Sequence, residues 1–356
     1  MNVISARSPY EIIINESGQI GSKVELFIWN KGTTEPTIPT YIMSENIASV
    51  TQTETNYNIS PYVLEYINQV SPTYVTTPAI ENNTDWCLVR VKRYKKTTAG
   101  TFSLIDNLVY FGINAYTEII NGLNYNISGT NDFVLLGYPF VTNKIQYYNT
   151  VPYYNLLIKS VASNNYTIRY FDLNGSLLST NVFFSPTTTD YFNYKIPLAV
   201  SGSSYCRIET TNDDDIYTIY TEKIEECKYT PVNVSYVNKF GGWQQITFFK
   251  AQTNSINVKG SEYNLMQLNL NYNYKAGQKK SFNINGNKTI KLNTGWVYEN
   301  YNKFIQELML SDTILVDSNP AIIKTQSLTY KTDLKDKNIN FEIDFEYSNK
   351  LINDIV

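Results

Sequence analysis

NINFEIDFEY, residues 338–347, is the most regular stretch of the chain, and its reading decides the fold class. Ile339, Phe341, Ile343, Phe345 and Tyr347 alternate with Asn340, Glu342, Asp344 and Glu346. Successive side chains of an extended strand point to opposite faces, so this period of two gives one apolar and one polar face. A register slip of one residue would bury three carboxylates, which fixes the pairing. Burying a large apolar side chain stabilises by roughly 1.5–3 kcal/mol gross, so the apolar face carries on the order of 10 kcal/mol as an upper value.

The same alternation recurs upstream. KVELFIWN (23–30) sets Val24, Leu26 and Ile28 on one face, and WCLVRVKRY (86–94) does so with Cys87, Val89 and Val91. LVYFGI (108–113) reads as a further strand. YTIRYFDLNGSLLSTNVFF (166–184) is the clearest hairpin: two extended runs flank Asp172-Leu173-Asn174-Gly175, and Asn-Gly supplies the positive φ angles of a tight turn. SFNINGNKTIKL (281–292) reads as a second Asn-Gly hairpin.

YVNKFGGWQQITFFK (236–250) places Gly241 and Gly242 between Phe240 and Trp243 with extended runs on either side, the pattern of a hairpin whose glycines make the corner. Two helices interrupt the strands. Ser60 as N-cap and Pro61 at the first helical position predict a short one. Val297, Tyr301, Phe304, Ile305, Leu308 and Met309 recur at helical spacing, with Glu299, Asn302, Lys303 and Gln306 on the other side.

Composition agrees. The 356 residues include 31 Tyr and 16 Phe, and flat or branched side chains pack well on a pleated surface. The chain is therefore expected to be mainly β. Two β-sandwich-like domains, 1–117 and 118–229, precede a β-rich module, 230–356, with one packed amphipathic helix near 297–309.

The formal net charge of −3 is too small for nucleic-acid binding by counterion release. Acidic residues outnumber basic ones through residue 228 and basic residues outnumber acidic ones after it, an asymmetry able to orient neighbouring subunits. No apolar run has the length of a membrane-spanning helix, so no membrane insertion is expected. The start, MNVISARSPY, lacks the apolar stretch and small-residue cleavage pattern of an export signal.

The chain contains no histidine, which removes the commonest general base, the commonest zinc ligand and every Ser-His or Cys-His nucleophile. Cys87, Cys206 and Cys227 have no metal-ligand spacing; three reduced thiols are expected, with a Cys206–Cys227 bridge as the alternative. Asn212-Asp213-Asp214-Asp215 reads as a polar turn in preference to half a calcium loop, because calcium needs six to eight oxygens from a larger ligand set. Lys92-Arg93-Tyr94-Lys95-Lys96 reads as a solvated strand end before a turn, with phosphate or acidic-glycan binding as the alternative. No catalytic residue, cofactor or metal is expected.

The order EECKYTPVNVSYVNKFGGWQQITFFK (225–250), IKLNTGWVYENYNKFIQELMLSDTILV (290–316) and NINFEIDFEY resembles the C-terminal half of a group of virion structural proteins from tailed bacteriophages of Bacteroidota. ARSPY (6–10) resembles the start of that group. The likeness covers the third module well, the first partly and the second only through its last strand. Where the group has a small residue after Phe-Gly, this chain has Gly242-Trp243. The resemblance implies a non-enzymatic tail, baseplate or fibre component in the virion, assembled in the host cytoplasm. Its implied partners are other phage structural proteins and copies of itself. Phe240, Trp243, Trp296, Lys92 and Arg93 are the candidate interface residues. A host-surface glycan is the alternative partner, since tyrosines stack on sugars, and head or collar decoration is the alternative placement.

Overall fold

A computed structural model of the chain describes residues 2–49, 51–81, 84–122, 124, 133–138, 144–159, 165–185, 187, 190–211, 215–266, 275, 277–327, 329 and 338–352. The protein is mainly β, and its described residues include two α-helices, Ser60–Leu64 and Tyr301–Leu310. The chain forms two compact units, 1–223 with 237–245, and 224–236 with 246–356. The segments 1–117 and 118–223 thus lie in one unit.

In that first unit a five-stranded sheet runs in the order Val3–Ser5, Phe102–Ile113, Trp86–Lys96, Gly21–Trp29, Tyr41–Asn46. The alternation read from the sequence places Val24, Leu26, Ile28, Cys87, Val89 and Val91 in a single buried cluster. A two-stranded sheet, Glu11–Ile14 with Thr55–Asn58, contributes Ile12, Ile14 and Tyr57 to the same cluster, giving a sandwich-like arrangement.

The opposite side of the five-stranded sheet is also covered. Trp86, Leu88, Phe111 and Ile113 pack with Val134, Leu136 and Leu157. Those last three belong to a four-stranded sheet ordered Ala79–Ile80, Tyr191–Pro197, Tyr153–Lys159, Phe133–Leu136. A sheet with apolar side chains on both faces needs two covering layers. This shared core makes one unit of segments whose local patterns are separate.

The expected 166–184 hairpin forms. Strands Tyr166–Phe171 and Leu177–Phe184 pair antiparallel within a second five-stranded sheet. Gly175 has φ +84, and the Asp172 carboxylate accepts from the backbone N–H groups of Asn174 and Ser176. Residues 212–214 of the acidic run lie outside the described residues.

The second unit holds an eight-stranded sheet. Its main path is Trp243–Phe248, Val232–Val237, Ile314–Val316, Asn319–Ile323, Glu342–Tyr347, Lys279–Asn293, Thr253–Asn264, and Leu351–Ile352 pairs off this path. The connecting tip of the first two strands, 237–245, belongs to the first unit. Ile339, Phe341, Ile343 and Phe345 are buried as the period of two requires.

Four details differ from the sequence reading. Residues 338–347 form two pieces rather than one strand: Asn338–Ile339 pairs with Val297–Tyr298, and Glu342–Tyr347 pairs with Lys279–Asn293. The break falls where Phe341 exchanges hydrogen bonds with Thr294 through backbone and hydroxyl. The expected hairpin at Asn285-Gly286 is absent, because Lys279–Asn293 is a single strand with Gly286 opposite Val258. There the missing Cβ admits Ile256 Cδ1 and Leu351 Cβ, which would lie 3.3 and 3.6 Å from it, so the glycine serves packing rather than a turn.

The long helix begins at Tyr301, because Val297 and Tyr298 are strand; its buried residues are Tyr301, Phe304, Ile305, Glu307 and Leu308. Ser60 is the first residue of its helix instead of the cap, and its hydroxyl bonds to Asn58 Oδ1 at 2.6 Å. The cysteines are free thiols, Cys87 and Cys206 buried and Cys227 exposed, so the Cys206–Cys227 alternative is not realised.

Candidate functional site

The glycine corner is closely hemmed in by neighbouring backbone. Gly241 takes φ +80, and a Cβ there would stand 3.0 Å from the Asn114 carbonyl carbon and 3.1 Å from the Ala115 nitrogen. A Cβ on Gly242 would meet Leu136 Cβ and its carbonyl oxygen at 3.0 Å. Both glycines are therefore required by closeness to neighbouring backbone, and Gly241 by its φ as well.

Asn238 organises the corner. Its side-chain oxygen accepts from the backbone N–H groups of Phe240 and Gly242, and its amide donates to the Leu136 carbonyl at 3.0 Å. Tyr116 N–H donates to the Lys239 carbonyl at 2.9 Å. The corner is thus tied on several sides by hydrogen bonds that a polar tip in water would not need.

Trp243 leads from the corner into a buried polar cluster. The indole is 2% exposed, and its Nε1–H donates to Asp85 Oδ2 at 3.3 Å. The other oxygen of Asp85 accepts from Val70 N–H at 2.9 Å. Burial pushes the Asp85 carboxyl up to about 7, opposed by the Val70 hydrogen bond and reinforced by the negative charge of Glu81.

Glu81, Asn155, Asn193 and Lys195 complete the cluster, and all four are buried. Lys195 Nζ lies 2.8 Å from Glu81 Oε1, while Asn155 Nδ2 donates to Glu81 Oε2 at 2.7 Å and to Asn193 Oδ1 at 3.2 Å. Lys195 also donates to the Thr73 carbonyl at 3.4 Å. Tyr153 beside them has its hydroxyl pushed well above the usual range, chiefly by burial. Chemically this arrangement holds one neutralised ion pair and one carboxyl able to keep its proton near neutral pH.

Of the interface candidates, Trp243 is core, with no surface to offer a neighbour. Phe240 is half-buried and meets Tyr138 edge-on, ring centroids 5.1 Å apart. Lys92 Nζ sits 4.4 Å from the centre of the Phe27 ring. Arg93 forks onto both oxygens of Asp106, a pairing that raises its pKa, and donates to the Ile13 carbonyl at 3.2 Å. The basic cluster is thus partly engaged within the chain. Trp296 is 64% exposed and follows Gly295, which has φ +72.

The buried cluster was not legible in the sequence. Asp85 and Glu81 stand in a polar run before a strand, and Lys195 lies more than a hundred residues away, so nothing in local pattern marks them as partners.

A groove of about 670 Å³ lies in the second unit between Ile256, Lys288, Asn319, Tyr347 and Leu351. Among the described residues no group of three or more His, Cys, Asp or Glu side chains is placed to hold a metal ion, and no helix is long and apolar enough to cross a membrane. No protein-family model matches the chain, and no curated protein shows significant similarity to it.

Proposed function

We propose that the chain is a structural component of a tailed-bacteriophage virion, placed in the tail, baseplate or fibre apparatus and acting through protein–protein assembly. The observation that carries this reading is the ordered set of motifs in the second half, from KYTPV through NKFGG and LNTGW to NINFEIDFEY, on a β-rich chain. Its support from the fold is physical. The glycine corner and the first-unit cluster spend their polar groups on holding strands together, as a load-transmitting protein requires. Fold class alone does not determine role, so the motif order remains the principal warrant.

Mass spectrometry of washed, purified virions tests the proposal directly. Recovery of this chain in stoichiometric amounts with tail proteins is expected; its absence from intact particles overturns it. A reconstruction of the particle then distinguishes tail from collar or head decoration.

One residue favours a second reading, a glycan- or receptor-binding surface. An exposed indole such as Trp296 offers a flat face of the kind that stacks on sugar rings. Binding of the isolated protein to a host-glycan array, lost in Trp296→Ala, would favour this reading over pure assembly.

A further inference from the structure

Lys195 is the one lysine that is buried among the described residues, and it stands directly opposite Asn155 where Tyr191–Pro197 pairs antiparallel with Tyr153–Lys159. Residues facing each other in such a pair put their side chains on one face, with Cβ atoms about 4.5–5.5 Å apart. Both side chains meet the same carboxylate. Glu81 Oε1 lies 2.8 Å from Lys195 Nζ, and Glu81 Oε2 accepts from Asn155 Nδ2 at 2.7 Å. Glu81 is placed there by the short strand Ala79–Ile80, which pairs with Tyr191–Pro197, and by its own N–H, which donates to the Asn193 carbonyl at 2.7 Å. An amine, a carboxamide and a carboxylate touching the nitrogen of each are thus held together out of water. Asn155 is 1% exposed, and the Lys195 and Glu81 side chains are 7% and 2% exposed.

Two features of this cluster are unfavourable in a purely structural ion pair. Charges removed from water are expensive to hold. Asn155 Oδ1 is also buried with no hydrogen-bond partner among the described residues, although buried carbonyl oxygens ordinarily have one. Desolvation penalises charge, so a proton passes from an amine to a carboxylate more readily in a dry site than in water. A lysine amine that has given up a proton is a nucleophile towards carbonyl carbon.

We propose that Lys195 and Asn155 join in a side-chain amide bond, formed within the folded chain with Glu81 relaying the protons. Glu81 takes one proton from the Lys195 ammonium, and the freed Nζ lone pair attacks Asn155 Cγ to give a tetrahedral adduct. The protonated carboxyl then gives its proton to Nδ2, and Glu81 takes a second proton from Nζ. The Cγ–Nδ2 bond breaks and ammonia leaves. The new Cγ–Nζ amide remains beside a protonated Glu81. Nothing is oxidised or reduced and no co-reactant is consumed, which suits a chain whose cysteines are free thiols. In the product Glu81 donates to Asn155 Oδ1, the oxygen that has no partner beforehand. The Lys195–Glu81 ion pair is the state before this reaction. The bond ties two neighbouring strands of the four-stranded sheet to each other, so that separating them requires breaking a covalent bond. The inference rests on this cluster alone and is independent of the virion reading.

Mass spectrometry of the full chain tests it. Intact wild-type protein is expected to weigh less than its sequence by one ammonia, and a protease digest to contain a branched peptide joining Lys195 to Asn155. Lys195→Met, and Glu81→Gln in its folded fraction, are expected to keep the full sequence mass. A wild-type chain at its full sequence mass overturns the proposal. So does an ammonia loss that maps to a cyclised Asn-Gly site such as Asn174-Gly175, or one that persists in Lys195→Met. A branched peptide joining Lys195 to Glu81 with loss of water overturns it as well. A cross-link that forms unchanged in Glu81→Gln removes Glu81 from the relay. The wild-type mass and its branched peptide need no variant, so they decide the existence of the bond even where a substituted chain fails to fold.

Discussion

Trp243 donates its indole N–H to Asp85 Oδ2 at 3.3 Å, although 158 residues of chain separate them. The bond joins the strand after the glycine corner to the residue that precedes strand Trp86–Lys96. Its acceptor is a carboxyl 5% exposed, whose pKa burial raises from 3.8 to about 7. A raised carboxyl pKa means that the native protein holds a proton the unfolded chain has released, so stability falls as pH rises between those values and levels off above about 7. Each pKa unit corresponds to about 1.4 kcal/mol, giving a loss of a few kcal/mol across the window. Urea denaturation across that range should show this decline in wild type and a flatter profile in Asp85→Asn. Equal slopes in the two proteins would remove Asp85 as the titrating group; Glu81, Lys195 and Tyr153 are the other ionisable groups around it.

The two glycines with φ +80, Gly100 and Gly241, separate backbone conformation from crowding. A Cβ added at Gly100 would have nothing within 4 Å, whereas one at Gly241 would press on the backbone of Asn114 and Ala115. Left-handed backbone costs a non-glycine residue about 1–2 kcal/mol. Gly100→Ala should lose roughly that much, and Gly241→Ala distinctly more. Thermal unfolding of the pair reads the difference directly, and equal melting temperatures would show that the corner yields without cost.

Legibility in the sequence followed the range of the interaction. Period-two alternation identified one buried face in each of Gly21–Trp29, Trp86–Lys96 and Glu342–Tyr347, but not the burial of Phe27, Trp86 and Leu88 on the other side of the first two, which depends on a covering layer from elsewhere in the chain. Partner choice was hidden. Nothing in NINFEIDFEY shows that Ile339 pairs with Val297 while Ile343 pairs with Leu292. Asn-Gly misled at Asn285-Gly286 because glycine serves turns and close packing alike, and only the Ile256 and Leu351 side chains decide between them. The corner at Gly241 was visible as a turn, but Trp243's burial and its bond to Asp85 depend on residues brought close only by the fold.

Ile343 tests the face assignment of the strand that identified the fold. It is 0% exposed and lies opposite Leu292, itself buried. Ile343→Val should cost about 0.5–1.5 kcal/mol, the usual loss for one buried methylene. Ile343→Asp would bury a charge with no partner and should abolish soluble yield of the protein. Glu342→Gln, on the exposed face of the same strand, should express normally and lose only the exposed Lys291 pair, worth little in water. Normal yield and melting of the Ile343→Asp protein would reverse the assignment.

The Lys195–Glu81 pair provides the sharpest test of the buried cluster, because its two side chains are 7% and 2% exposed. Taking two charges out of water costs several kcal/mol per ion, recovered only while both partners and their hydrogen bonds remain. Lys195→Met leaves Glu81 charged and buried, with the Asn155 amide still donating to it but no cation beside it, and should destabilise by about 3–5 kcal/mol. Adding Glu81→Gln to that variant removes the stranded charge and retains an acceptor for Asn155, so part of the stability should return. Chemical denaturation of wild type, both single variants and the double variant closes the cycle. A double variant no more stable than Lys195→Met would mean that the lysine contributes through other hydrogen bonds of its ammonium, such as that to the Thr73 carbonyl, rather than by neutralising Glu81.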